Sequence, residues 1–111
     1  MDDLYVARKL IAKKSNADQR GIEFSLSFTA MRNLLSSKKC YYTGAPLTSE
    51  PDKANSLTID RIDSSKGYVS GNVVACSKQF NQLKEVFDKA GKQGMMVAAK
   101  AFTKAAKRFE E

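Results

Sequence analysis

Residues 57–84 read LTIDRIDSSKGYVSGNVVACSKQFNQLK, and the hydrophobic period changes within this stretch from that of a strand to that of a helix. Leu57 and Ile59 alternate with Thr58 and Asp60, the pattern of a strand with one buried face. Lys66-Gly67-Tyr68 supplies a turn, and Asn72-Val73-Val74 opens a second strand. Phe80, Leu83 and Phe87 then recur at helical spacing. The expectation is an antiparallel pair near 57–61 and 72–75, packed by a helix over about 77–88.

The polar residues of this stretch ask for an explanation beyond packing. Asp60 closes an apolar strand, where a carboxylate either caps a turn or, with Asn81 returned by the helix, ligates a cation. Mg²⁺ takes few protein oxygens and keeps several waters, so one Asp, one Asn carbonyl and a substrate phosphate suffice. Asn72, after Gly71, suits a side chain that bonds loop backbone and fixes the hairpin more than one doing direct chemistry. Asn81 and Lys84 are three apart and share a helix face. Lys66, Lys78 and Lys84 are candidate phosphate contacts, with a solvated Lys84 as the alternative. Arg61 stands beside Asp60 but cannot act as a base, because a guanidinium keeps its proton and offers no acceptor. It either clamps a phosphate and stabilises transition-state charge, or pairs with Asp63 in a structural role.

Outward from this unit, the spacing predicts a helix from Asp2 to about Ala17, with Leu4, Ala7, Leu10 and Ile11 as its apolar positions. Arg20-Gly21 ends it, and Ile22, Phe24 and Leu26 alternate as a short strand. Ser27 or Thr29 caps a second helix running to about Ser37. Cys40 to Gly44 forms a compact aromatic turn, and the polar segment Thr48 to Asn55 is expected to be the most mobile. Gly91 and Gly94 separate a last helix over 95–110, in which Met95, Ala98, Phe102, Ala105 and Phe109 make a core stripe. The organisation expected is one small α+β domain over 1–111: a lead-in over 2–44, a core motif over 57–88 and a C-terminal helix.

The formal charge of +7, from 19 basic and 12 acidic residues, favours a polyanionic partner. No apolar run approaches the ~20 residues that span a bilayer, so no membrane partner is expected. The N-terminal MDDLYVARKLIAKK lacks the apolar region of a signal peptide, which points to the cytoplasm. There a disulfide between Cys40 and Cys76 would not persist. The two halves Cys40-x-x-Thr43 and Cys76-x-x-Gln79, in a chain without histidine, do not fill a tetrahedral zinc site. Buried apolar cysteines are expected instead, and no structural zinc.

These residues together resemble the HNH nucleases, the His-Me finger or ββα-metal group. The likeness is greatest to small phage-type members with a signature of roughly DRID…GY…GNV…N..K, and it spans about residues 18–87, including RGIEFSLS and CYYTG. The resemblance implies a central ββα-metal unit in which Asp60 is the first metal ligand, Asn72 the structural asparagine and Asn81 the last metal-binding position. It further implies Mg²⁺ or Mn²⁺ as cofactor and DNA phosphodiesters as substrate, with RNA an open alternative. The cysteines look like remnants of a zinc knuckle. The family's general-base histidine falls at Arg61.

Two functions follow from this pattern. The main expectation is a phage-encoded, metal-dependent endonuclease acting in the host cytoplasm, with Asp60 and Arg61 at its catalytic centre. The alternative is a catalytically silent HNH-like module that binds nucleic acid or a protein partner, including as an inhibitor of a host protein. Retention of Asp60, Asn72 and Asn81 favours the first, and the missing base favours the second.

Overall fold

The computed structural model describes residues 1–109 and contains α1 (Asp3–Gln19), α2 (Phe28–Leu35), β1 (Leu57–Arg61), β2 (Val73–Ser77), α3 (Lys78–Asp88) and α4 (Gly91–Arg108). It is an α+β arrangement with a two-stranded antiparallel sheet. The chain divides within α3, after Asn81, into two compact units.

In the first unit the hairpin pairs Leu57 with Ser77 and Arg61 with Val73, so β2 runs two residues beyond the expected 72–75. Alternation assigns Leu57, Ile59 and Arg61, with Val73, Ala75 and Ser77, to one face of the sheet. Leu57, Ile59 and Val73 join the core there with Val6, Ala17, Leu26, Met31 and Tyr68. Thr58 and Asp60, opposite Cys76 and Val74, take the other face. The helix begins directly at the end of β2, where the Ser77 hydroxyl accepts the Phe80 N–H (3.2 Å).

The helix α1 starts where Asp2 accepts the Leu4 N–H (2.9 Å), and it stops before Gly21, whose φ of +68° few side chains tolerate. Its buried face differs from the expected one. Val6 and Ala17 are buried with Leu10 packed beside them, while Leu4 and Ile11 are 55% and 68% exposed. Several apolar faces are compatible with the sequence of α1, and the one that meets Met31 of α2 is the one used. Of the two candidate caps, Ser27 holds α2, its hydroxyl accepting the Ala30 N–H (3.0 Å). Arg32 ties α2 to the start of the chain through an ion pair with Asp3 and a bond to the Met1 carbonyl (3.1 Å).

The strand expected at 22–26 is reduced to one parallel bridge between Phe24 and Tyr68. The Tyr68 N–H donates to the Glu23 carbonyl (2.8 Å), and the Ser25 N–H donates to the Tyr68 carbonyl (3.1 Å). Gly67 permits this approach: a Cβ there would lie 2.5 Å from the Glu23 oxygen. The segment 48–55, expected to be the least restrained, is cross-braced. Thr48 N–H donates to Asn55 O (3.0 Å), Leu57 N–H to Thr48 O (2.9 Å), and the Ser56 hydroxyl to Glu50 O (2.6 Å).

In the second unit α4 begins at Gly91, whose φ of +67° turns the chain, and it runs through Gly94 rather than starting after it. The core stripe predicted for this helix is not formed, because α4 has no buried residue. Phe102 is 60% exposed, although it meets Phe87 edge to face with centroids 6.1 Å apart. The helical face expected of α3 is also broken, with Leu83 half exposed and Lys84 buried.

Candidate functional site

The face of the hairpin that carries Thr58 and Asp60 holds the candidate site. Asp60 is only 6% exposed, and its carboxylate accepts the Tyr42 hydroxyl at 2.6 Å. Tyr42 is held in turn against Phe80, ring centroids 4.9 Å apart, and edge to face with Tyr41. Asn81 reaches the same face from the first turn of α3, its amide donating to the Thr58 hydroxyl (3.2 Å), while that hydroxyl donates to the Cys76 carbonyl (2.9 Å). Asp60 and the Thr58 anchor of Asn81 are thus two residues apart on one strand and share one side of it.

Arg61 is elsewhere. Consecutive strand residues face opposite sides, and its guanidinium lies over the Tyr68 ring, 5.3 Å from the centroid. The same group donates to the Ser64 carbonyl (2.9 Å) and the Lys66 carbonyl (3.0 Å), closing the connection between the strands. Asn72 works on that connection from its other end. It is 7% exposed, accepts the Asp63 N–H (2.9 Å) and donates to the carbonyls of Asp63 (3.1 Å) and Gly67 (2.9 Å).

The three candidate phosphate-binding lysines differ in setting. Lys66 is exposed, and Lys78 is half-buried and pairs with Asp52 (3.5 Å). Lys84 is 7% exposed and bonds Asp88 at 2.8 Å, so the solvated alternative for it is not what the fold shows.

The cysteines form a second arrangement on the Thr58 side of the sheet. Both are free thiols, with Cys40 2% and Cys76 0% exposed. Burial alone would raise the Cys40 thiol, but hydrogen bonds from the Thr43 side chain and from backbone at Ser77, Thr43 and Tyr42 outweigh it and bring the pKa down to about 6. Cys76 is pushed up to about 12 by burial first, then by the Cys40 charge and hydrogen bond and by the Asp60 charge. The two neighbouring sulfurs are thus shifted in opposite directions. Sequence reasoning treated both as inert apolar residues and did not single out Tyr42, Thr58 or Thr43. The Cys40-x-x-Thr43 turn was the available sign of a sulfur held by local donors, and the strand period was the sign that Thr58 accompanies Asp60.

The two residues expected to ligate a cation, Asp60 and Asn81, are bonded here to Tyr42 and Thr58. Among the described residues there is no group of three or more His, Cys, Asp and Glu side chains suited to hold a metal. No described helix is long and apolar enough to cross a membrane.

No protein-family model matches the chain, and no solved structure matches it. The chain is 33% identical over 76 residues to an uncharacterized 29.0 kDa protein in the dda-modA intergenic region of Enterobacteria phage T4. The match takes in 68% of this chain and 30% of that relative, so the chain spans under a third of the relative's length.

Proposed function

We propose that this chain is a catalytically silent ββα module of HNH type that binds nucleic acid through a basic surface. The observation that carries the reading is the employment of Arg61. At the position where the resemblance calls for a general base stands a side chain that cannot take up a proton, and its guanidinium holds the Ser64 and Lys66 carbonyls and covers Tyr68. Asp60, which a nuclease would offer to a metal, is buried and accepts the Tyr42 hydroxyl. The net charge of +7 supports a polyanionic partner. The phage T4 likeness fits a phage setting, and the relative's description assigns it no activity.

The competing reading, a metal-dependent endonuclease, draws on Asp60 lying on the same strand face as Thr58, the residue that Asn81 bonds. One experiment separates the two. Purified protein is titrated with labelled duplex from low to high salt and, in parallel, incubated with supercoiled plasmid in Mg²⁺ and in Mn²⁺. The expected result is salt-sensitive binding with a log–log slope of roughly −3 or steeper, at ~0.9 per phosphate contact, and intact plasmid. Metal-dependent nicking that disappears in Asp60→Ala would replace this proposal by the nuclease reading. Absence of binding at low salt would move the module to a protein partner.

A further inference from the structure

The first unit contains a cavity of about 450 Å³ between α1, α2, the 47–51 segment and β1. That size is within the ~300–1,000 Å³ of small-ligand pockets. Met31, Leu35, Leu57 and Ile59 give it an apolar floor. On α1, Tyr5, Lys9 and Asn16 fall at positions i, i+4 and i+11 of one stripe and line its side. Tyr5 is 37% exposed, and the Lys9 ammonium lies 5.6 Å from its ring centroid. The ammonium lies over the ring face, so an aromatic ring and a cation that an incoming base could displace stand together at an apolar cleft. Glu50, Ser37 and Ser49 also line it.

We propose that this cavity takes one unstacked nucleotide, its base on Tyr5 and the apolar floor and its phosphate on Lys9. The partner class rests on the nucleic-acid reading above. The pocket adds to it a preference for an unpaired base over a duplex one. Every base has a π-face, so an aromatic side chain beside a positive charge binds single strands with little regard to sequence. The Lys9 ammonium, already adjacent to the Tyr5 ring, has only to exchange that ring for the incoming phosphate. Glu50 is an acceptor for an exocyclic amine, so cytosine, which carries one, is a suitable probe. A base inside a duplex is stacked on both sides and cannot enter. The same chemistry is offered by a free nucleotide and by one residue of a single strand.

The test uses the full chain and fluorescence anisotropy. The ligands are a short oligodeoxycytidylate, an abasic strand of equal length and charge, and a duplex, with free cytidine monophosphate as competitor. The base-bearing strand is expected to bind about tenfold more tightly than the abasic one, consistent with a stacking contribution of ~1–3 kcal/mol per base. Tyr5→Ala should remove most of that preference, Tyr5→Phe should keep it, and Ala12→Trp, which fills the cavity from an exposed position of α1, should remove it again. Duplex affinity and its salt slope should be unchanged in all three. Displacement by free cytidine monophosphate would assign the pocket to nucleotides in general, and its failure beside a strong strand preference would assign it to strands. Equal affinity for base-bearing and abasic strands, or a preference that survives both Tyr5→Ala and Ala12→Trp, overturns the pocket. If the chain binds duplex without any base preference, this inference alone fails; if it binds neither strand nor duplex at low salt, the proposed function fails with it.

Discussion

Replacing Asn72 by Ala removes three hydrogen bonds from a side chain that is 7% exposed and withdraws partners from backbone at Asp63 and Gly67. Buried polar groups left unsatisfied cost about 1–3 kcal/mol each, so the loss expected in urea denaturation is about 2–4 kcal/mol. An unchanged midpoint would show that water replaces the amide. The thiol pair makes a different prediction at the same scale. The Cys40 pKa falls from an ordinary 9.0 to about 6 on folding, so its contribution to stability is fully present above pH 9 and is lost as pH falls through about 6. Cys76 is raised to about 12, so the folded state holds its proton where the unfolded chain releases it, and stability declines as pH rises from 9 toward 12. Stability should therefore climb from pH 6 to 9, and Cys40→Ser should flatten that climb. Thiolate absorbance should titrate near pH 6 in the wild type and vanish there in Cys40→Ser. The residues legible in the sequence were those with few alternative uses. An Asp on an apolar strand and an Asn beside a glycine both announce a task. The state of Cys40 was not legible, since it depends on donors that only the folded turn assembles.

Among the elements, the hairpin and the start of α3 could be read because the sequence period changes where the structure does: Leu57 and Ile59 enter the core, and Phe80 meets Tyr42. The segment around Phe24 has the same alternation but gains only one bridge, because pairing partners are set by long-range contacts that a local period does not contain. The contact that replaces a strand there is testable. A Cβ at Gly67 would sit 2.5 Å from the Glu23 oxygen and 2.8 Å from the Glu23 Cβ, and backbone cannot yield as a flexible side chain would. Gly67→Ala should cost about 1–3 kcal/mol, the range for overpacking a close contact. Ser27→Ala, which removes the α2 cap, should cost about 1 kcal/mol and serves as the calibrating variant. If Gly67→Ala proves milder than Ser27→Ala, the Glu23–Tyr68 bridge is not a fixed part of the fold.

For the molecule as a whole, the excess of positive charge and the metal reading predict opposite responses to Mg²⁺. A counterion competes for phosphates, so adding Mg²⁺ at constant ionic strength should weaken binding of the silent module to duplex. A cation held between Asp60 and substrate would strengthen it, and that outcome in a fluorescence titration would return the nuclease to first place. Charge and length were plain in the sequence, whereas the division after Asn81 was not, because the helical pattern of α3 runs on without interruption. The C-terminal stripe was misread for a related reason: Met95, Ala98 and Phe102 satisfy a periodicity, but periodicity does not supply something to be buried against. An eighteen-residue helix without one buried side chain gains little from packing beyond the Phe87–Phe102 contact. Its amides should therefore exchange with solvent deuterium well ahead of those in β1 and β2. Heating should erode helical circular dichroism along a sloping baseline before the cooperative transition begins, and a two-state fit that treats the slope as instrumental would then miss the separate melting of α4.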